Sequence, residues 1–243
     1  MLSKLFYVTF LIIAVLIAVA STLFALEYFT RWKEATVFPL NINHFVDVTN
    51  IATSSPRYPL LILFGNSRVV QWKPEPDISN FVVINRGISG ETTEQMKYRF
   101  QKDVLSLKPK LVVIQAGIND LAAIGALKDK EEVILANLKN NFKYFIHASN
   151  NAGVRIIVST IIRPASPEWY RRIVWSSRIP ILVDNVNDFL RKLASNENFE
   201  LLDADKILAP TQAPLAAPYA KDTLHLKQQA YKVLNIKLLE MVQ

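Results

Sequence analysis

The chain opens on an unbroken apolar run. From Leu5 to Leu26 it reads LFYVTFLIIAVLIAVASTLFAL, 22 residues without a charge. Wound as a helix, that stretch is about 33 Å long, enough to cross a bilayer. A soluble helix keeps a polar face, and this run has none. After a connecting segment, residues 29–57, the pattern changes to short apolar runs alternating with amphipathic stretches. The runs are Leu60 to Phe64, Phe81 to Asn85, Leu111 to Gln115, Val154 to Thr160 and Phe199 to Asp203. They are rich in Val, Ile and Leu and apolar on both faces, the signature of strands buried between helix layers. Between and after them Glu91 to Leu107, Lys130 to Asn150, Ile181 to Ser195 and Leu226 to Met241 carry helical spacing. Strand and helix alternating in this way predict a parallel sheet covered on both faces, an α/β domain of three layers over residues 58–243.

The N-terminal segment, residues 1–28, has two readings. Lys4 before the run and Ala18-Val19-Ala20 at A-x-A spacing suit a cleaved signal peptide. The apolar run continues through Thr22, Leu23, Phe24 and Leu26, longer than an ordinary signal core, so an uncleaved anchor is the expectation. Charge does not orient it, because Arg31 and Lys33 are offset by Glu27 and Glu34. The signal-like start and short N-terminal tail place the domain on the extracytoplasmic side, or free after cleavage near Ala20.

Composition narrows the chemistry. None of the 243 residues is cysteine, which excludes disulfides, thiolate zinc sites, a cysteine nucleophile and a diacyl-cysteine lipid anchor. The net charge of +7 favours anionic surfaces, but no basic tract exceeds Arg171-Arg172 and no nucleic-acid motif is present, so no nucleic-acid partner is expected. No cluster has metal-ligand spacing and no G-x-G-x-x-G follows a strand, so neither metal nor organic cofactor is implied. There are six glycines, far below the usual ~7%, and four of them fall in blocks directly after strand-like runs.

Those blocks hold the candidate chemistry, since ligands of a parallel sheet bind at the carboxyl ends of its strands. After the first run stands Gly65-Asn66-Ser67-Arg68, after the second Asn85-Arg86-Gly87-Ile88-Ser89-Gly90-Glu91-Thr92-Thr93, and after the third Gly117-Ile118-Asn119-Asp120. Asp222-Thr223-Leu224-His225 precedes the last helix. Any one block occurs by chance; all four in this order resemble the SGNH (GDSL-type) hydrolase family over about residues 58–243. The resemblance implies a flavodoxin-like sheet, a carboxylic ester hydrolase without cofactor, Ser67 as nucleophile, Asp222 and His225 as the rest of a triad, and Ser67, Gly90 and Asn119 as oxyanion-hole donors. Two positions depart from the family pattern: Asn66 stands where Asp is usual, and Arg68 where an apolar residue is usual.

The chemistry explains why these residue types belong together. A serine hydroxyl needs a base in hydrogen-bond reach and the base an orienting carboxylate. Of the other histidines, His44 lies in the connector and His147 on a helix away from the strand ends. Gly90 would lend a main-chain N–H and Asn119 a side-chain amide to the oxyanion; taken singly, Gly90 also reads as a plain turn and Asn119 as a helix cap. Asp120 reads as a first-turn helix residue.

Three further features concern the substrate. Arg68 would meet a negative group or pair with a nearby acid. The stretch Arg163 to Ile179, with four arginines, Trp169, Tyr170 and Trp175, reads either as a basic aromatic rim contacting substrate or as a surface excursion packed on the domain. Pro210, Pro214 and Pro218 restrict the loop leading to Asp222. The expected activity is hydrolysis of an acyl ester, most simply acetyl, on a cell-envelope glycan or lipid. An acyltransferase on the same triad, a lysophospholipase-like enzyme and a catalytically silent binding domain are the alternatives, and the sequence does not give the oligomeric state.

Overall fold

The computed structural model describes residues 2–37 and 58–243, apart from residues 74, 79, 126, 170 and 174. The chain divides into two compact units, residues 1–46 and 47–243. In the first, α1 (Leu2–Val37) is one continuous helix, and within it Phe6–Ala25 is long and apolar enough to cross a membrane. The helix does not end near residue 28, as the apolar run alone suggests. The polar stretch after Leu26 contains neither Gly nor Pro before Pro39, so nothing in it breaks helical hydrogen bonding. The rest of the expected connector, with His44, lies outside the described residues.

The second unit runs β1 (Leu60–Gly65), α2 (Ser67–Val70), β2 (Val82–Gly87), α3 (Thr93–Asp103), β3 (Leu111–Gln115), α4 (Ile118–Ala123), α5 (Glu131–Asn151), β4 (Arg155–Ser159), α6 (Ile179–Ala194), β5 (Glu200–Leu202), α7 (Ala204–Leu208) and α8 (Gln228–Val242). The five strands form one sheet in the order β2-β1-β3-β4-β5, every pair parallel. Alternation along each strand feeds two cores. Ile62, Phe64, Val112 and Ile114 point to one face, with Phe100 of α3, Phe142 and Phe145 of α5 and Val186 of α6. Leu61, Leu63, Leu111 and Val113 point to the other, with Trp72, and with Tyr231 and Leu234 of α8. All eight strand residues are essentially buried, which is why the runs read as apolar rather than alternating. The strand order turns back on either side of β1, and the crevice a ligand would use therefore opens at the carboxyl ends of β1 and β3.

Candidate active site

Ser67 is the first residue of α2, directly after β1. Asn66 caps this short helix by accepting the N–H of Arg68 at 3.0 Å, a task its amide oxygen performs as an aspartate would. As the first helical residue, Ser67 has a main-chain N–H without an acceptor inside the helix. The turn is tight because Gly65 has no side chain: a Cβ there would lie 2.1 Å from Gln115 O and 2.5 Å from Val69 Cγ2. The carbonyl of Gly65 accepts the N–H of Ile88 at 2.9 Å and Arg99 Nη2 at 3.3 Å, while Asn85 Nδ2 donates to Val69 O at 2.7 Å. The block after β2 is thus bonded to the turn that carries Ser67.

Gly90 sits in that block at φ +82, exposed, with nothing within 4 Å of where a Cβ would be. Its neighbour Glu91 is buried against Arg99, with Oε2 2.5 Å from Nη2. Burial pushes the Glu91 carboxyl up from its ordinary range, against the opposing pull of Arg99. Asn119 is not a helix cap. Gly117 occupies that position, and Asn119 lies inside α4 with Nδ2 donating to Glu91 O at 2.9 Å. One amide N–H is spent on that bond, and an amide has two. Asp120 is buried and accepts the N–H of Thr93 at 3.0 Å and its hydroxyl at 2.6 Å, so it caps α3 from a different helix. Burial raises its carboxyl to about 6, with the Thr93 bonds opposing.

Asp222 and His225 share a loop closed by antiparallel pairing of Ala220 with Leu226 and by the Lys221 N–H donating to His225 O at 2.9 Å. The imidazole Nδ1 lies 2.8 Å from Asp222 Oδ2. Asp222 Oδ1 also accepts the N–H groups of Leu224 and His225 at 2.8 and 2.9 Å. Burial pushes the Asp222 carboxyl up, but those N–H groups and the imidazole outweigh it and hold the group below its ordinary range. A carboxylate so placed favours the tautomer with its proton on Nδ1, which leaves Nε2 able to accept a proton.

The segment after β4 holds this loop. Glu168 accepts the N–H of Thr223 at 3.2 Å and also its hydroxyl, and the Ala165 N–H donates to Thr223 O at 3.0 Å. Arg163 is buried on Asp205, 2.6 Å away, and bonds Gln212 O in the proline-rich loop. The other three arginines of the stretch are engaged too: Arg171 with Glu168 at 3.2 Å, Arg172 with Pro167 O at 3.3 Å, and Arg178 with Glu131 at 2.7 Å. Trp175 is half-buried against the core, so the packed excursion, not a rim, describes it. Trp169 is 78% exposed, and Tyr170 is outside the described residues. Arg68 neither reaches the surface nor forms an ion pair among the described residues. It is 1% exposed and spends its guanidinium on main-chain carbonyls, Leu224 O at 2.7 Å and Ile162 O at 2.6 Å. His147 stands on α5 with Nε2 3.4 Å from Glu197. Among the described residues no group of three His, Asp or Glu could hold a metal ion.

Residues 67–233 match the family model of the GDSL-like lipase/acylhydrolase family. The chain belongs to that family. The match runs from Ser67 into α8 and takes in the blocks above except Gly65 and Asn66. An acetylxylan esterase of Geobacillus stearothermophilus is 49% identical over 39 residues, 16% of this chain and 18% of that protein. A Bacillus subtilis lipoprotein, YqeF, is 40% identical over 83 residues, 34% of this chain and 33% of that protein. The matched stretches thus span a third or less of either curated relative. Among solved structures, a GDSL-like lipase of Bacteroides thetaiotaomicron superposes with a TM-score of 0.64 at 20% identity, over 81% of this chain and 97% of that one. An acetylxylan esterase of Geobacillus stearothermophilus superposes with a TM-score of 0.59 at 21% identity, over 76% and 94%. These likenesses show the fold. Asp120 stands in the first turn of α4 as its position suggests, but its bond to Thr93 of another block carried no sequence signal, and neither did Glu168 or Arg99, which lie outside the four blocks.

Proposed function

We propose that this family member is a serine esterase that removes short acyl groups, most simply acetyl, from a cell-envelope glycan or lipid. The observation that carries this reading is the Asp222–His225 pair at 2.8 Å on a loop bonded through Arg68 to the helix that begins with Ser67. His225 Nε2 takes the proton as Ser67 Oγ attacks the ester carbonyl. The oxyanion is met by the N–H of Ser67, the N–H of Gly90 and the second amide N–H of Asn119. Collapse expels the alcohol with the proton from His225, leaving acyl-Ser67; water, deprotonated by His225, then releases the acid. Acetyl is favoured by the acetylxylan esterase match. Trp169, exposed on the segment that holds the triad loop, is the proposed substrate contact. In place of the lipid of its Bacillus relative, this cysteine-free chain would be held by α1, with the domain on the extracytoplasmic side.

Full-length protein in detergent, assayed on p-nitrophenyl esters from acetate to long chains beside Ser67→Ala, tests the reading. Ser67-dependent release strongest on acetate supports it. A preference for long chains transfers the substrate to lipids, and release undiminished in Ser67→Ala eliminates the nucleophile. Intact mass of membrane-extracted protein separates a retained anchor from cleavage near Ala20.

A further inference from the structure

Arg68 occupies the position at which the family's GDSL motif has leucine. Its side chain is as buried as a leucine would be, yet it carries a cation. Nε donates to Leu224 O at 2.7 Å and Nη1 to Ile162 O at 2.6 Å, while its own carbonyl accepts the Tyr231 hydroxyl at 2.8 Å. Nη2 is buried with no acceptor among the described residues. Burial pulls the guanidinium down to about 10, opposed by the facing Tyr231, Asp205 and Asp222, so it remains charged at neutral pH. An apolar side chain would fill this volume without a desolvated, incompletely bonded cation, which stability alone disfavours.

The arginine does what leucine cannot. The triad loop is held laterally by Ala165 and Glu168. Among the described residues, the bond from Nε to Leu224 O is the hydrogen bond that joins that loop to the nucleophile helix, across 156 positions of sequence. It lands on the residue before His225.

We propose that Arg68 is a positioning residue that sets the His225 loop at catalytic distance from Ser67, a task the family's apolar residue leaves to packing. The proposal rests on the serine esterase reading. A displacement of about 1 Å between base and nucleophile is enough to cost ~100-fold in rate, and one missing tether permits such a shift without unfolding the domain.

The test is p-nitrophenyl acetate hydrolysis by full-length Arg68→Met and Arg68→Lys in detergent, with turnover normalised to serines labelled to completion by a fluorophosphonate. Arg68→Met should lower kcat per labelled serine by about 30-fold with KM within twofold, because Arg68 is too buried to touch substrate. Arg68→Lys, whose single ammonium reaches one carbonyl, should fall between. An unchanged kcat per labelled serine alongside a lowered melting temperature overturns the proposal, and so does a raised KM at constant kcat. If Arg68→Met fails to fold, Arg68→Lys decides: a wild-type kcat refutes, a reduced kcat at constant KM supports. Ser67→Ala is assayed in parallel. Residual turnover there sinks the esterase reading itself, whereas an inert Ser67→Ala beside a fully active Arg68→Met sinks only the role of Arg68.

Discussion

Glu168 takes both the main-chain N–H and the hydroxyl of Thr223, the residue that directly follows Asp222. A carboxylate from the segment after β4 therefore anchors a loop 55 positions later. The Thr223 hydroxyl bond, chiefly, holds the Glu168 carboxyl below its ordinary range, so the clamp persists well below neutral pH. Glu168→Ala should lower kcat about tenfold through a looser His225, with KM for small esters unchanged and a stability loss under about 1 kcal/mol for so exposed a group. Steady-state kinetics beside thermal melting check both halves, and wild-type kcat would show that the Ala165 and Arg68 bonds hold the loop without Glu168.

Asn119 has one amide N–H on Glu91 O and the other free for an oxyanion. Asn119→Ala should reduce kcat by about 100-fold or more, while Asn119→Asp, which offers a charge of the wrong sign, should fall further. Rates on p-nitrophenyl acetate decide it, and a variant as fast as wild type removes Asn119 from the oxyanion hole.

Asp120 gives a pH dependence with a definite sign. Its folded-state value of about 6 exceeds the ordinary 3.8, so the folded protein holds this proton more tightly than the unfolded chain does. The resulting stabilisation is complete below about pH 4 and is lost as pH rises through 6. The difference is on the order of 2 to 3 kcal/mol. Asp120→Asn, which keeps an acceptor for Thr93 but never ionises, should gain stability relative to wild type between pH 4 and 7. Paired denaturant melts across that range measure the gap, and a gap that stays flat would refute the assignment.

Two glycines of the site should respond differently. Gly65→Ala drives a methyl into the carbonyl of Gln115, inside the β1–β3 pairing, and should cost about 3 kcal/mol or more. Gly90→Ala meets only its positive φ, with open space around it, and should cost about 1 kcal/mol. Chemical denaturation of the two variants ranks them, and equal losses would contradict the packing described.

The sheet was legible because its strands are apolar on both faces: β3 spans Leu111–Gln115, the residues the pattern marks, and the other four strands lie within two residues of theirs. The Asp222–His225 pair was legible because the two residues sit three apart, within one turn of chain. The short helices α2, α4 and α7 gave too few turns to show a period. Arg68 was misjudged for a different reason. An arginine beside a serine reads as exposed and seeking a negative partner, and nothing local reveals that two carbonyls from distant segments converge on it. For Trp175 the sequence left the rim and the packed excursion both open, because its core contact depends on how the segment after β4 folds back.

The order of the site along the chain has a consequence for biosynthesis. The proposed nucleophile follows the first strand of the domain, while its proposed base arrives only just before α8. A chain emerging from the ribosome carries a reactive-looking serine through most of its synthesis with nothing to deprotonate it. Competence would switch on only once the Ala220–Leu226 closure and the Arg68 tether have formed. Ester turnover would then report synthesis past Leu226, and products truncated before Asp222 would be inert rather than indiscriminate.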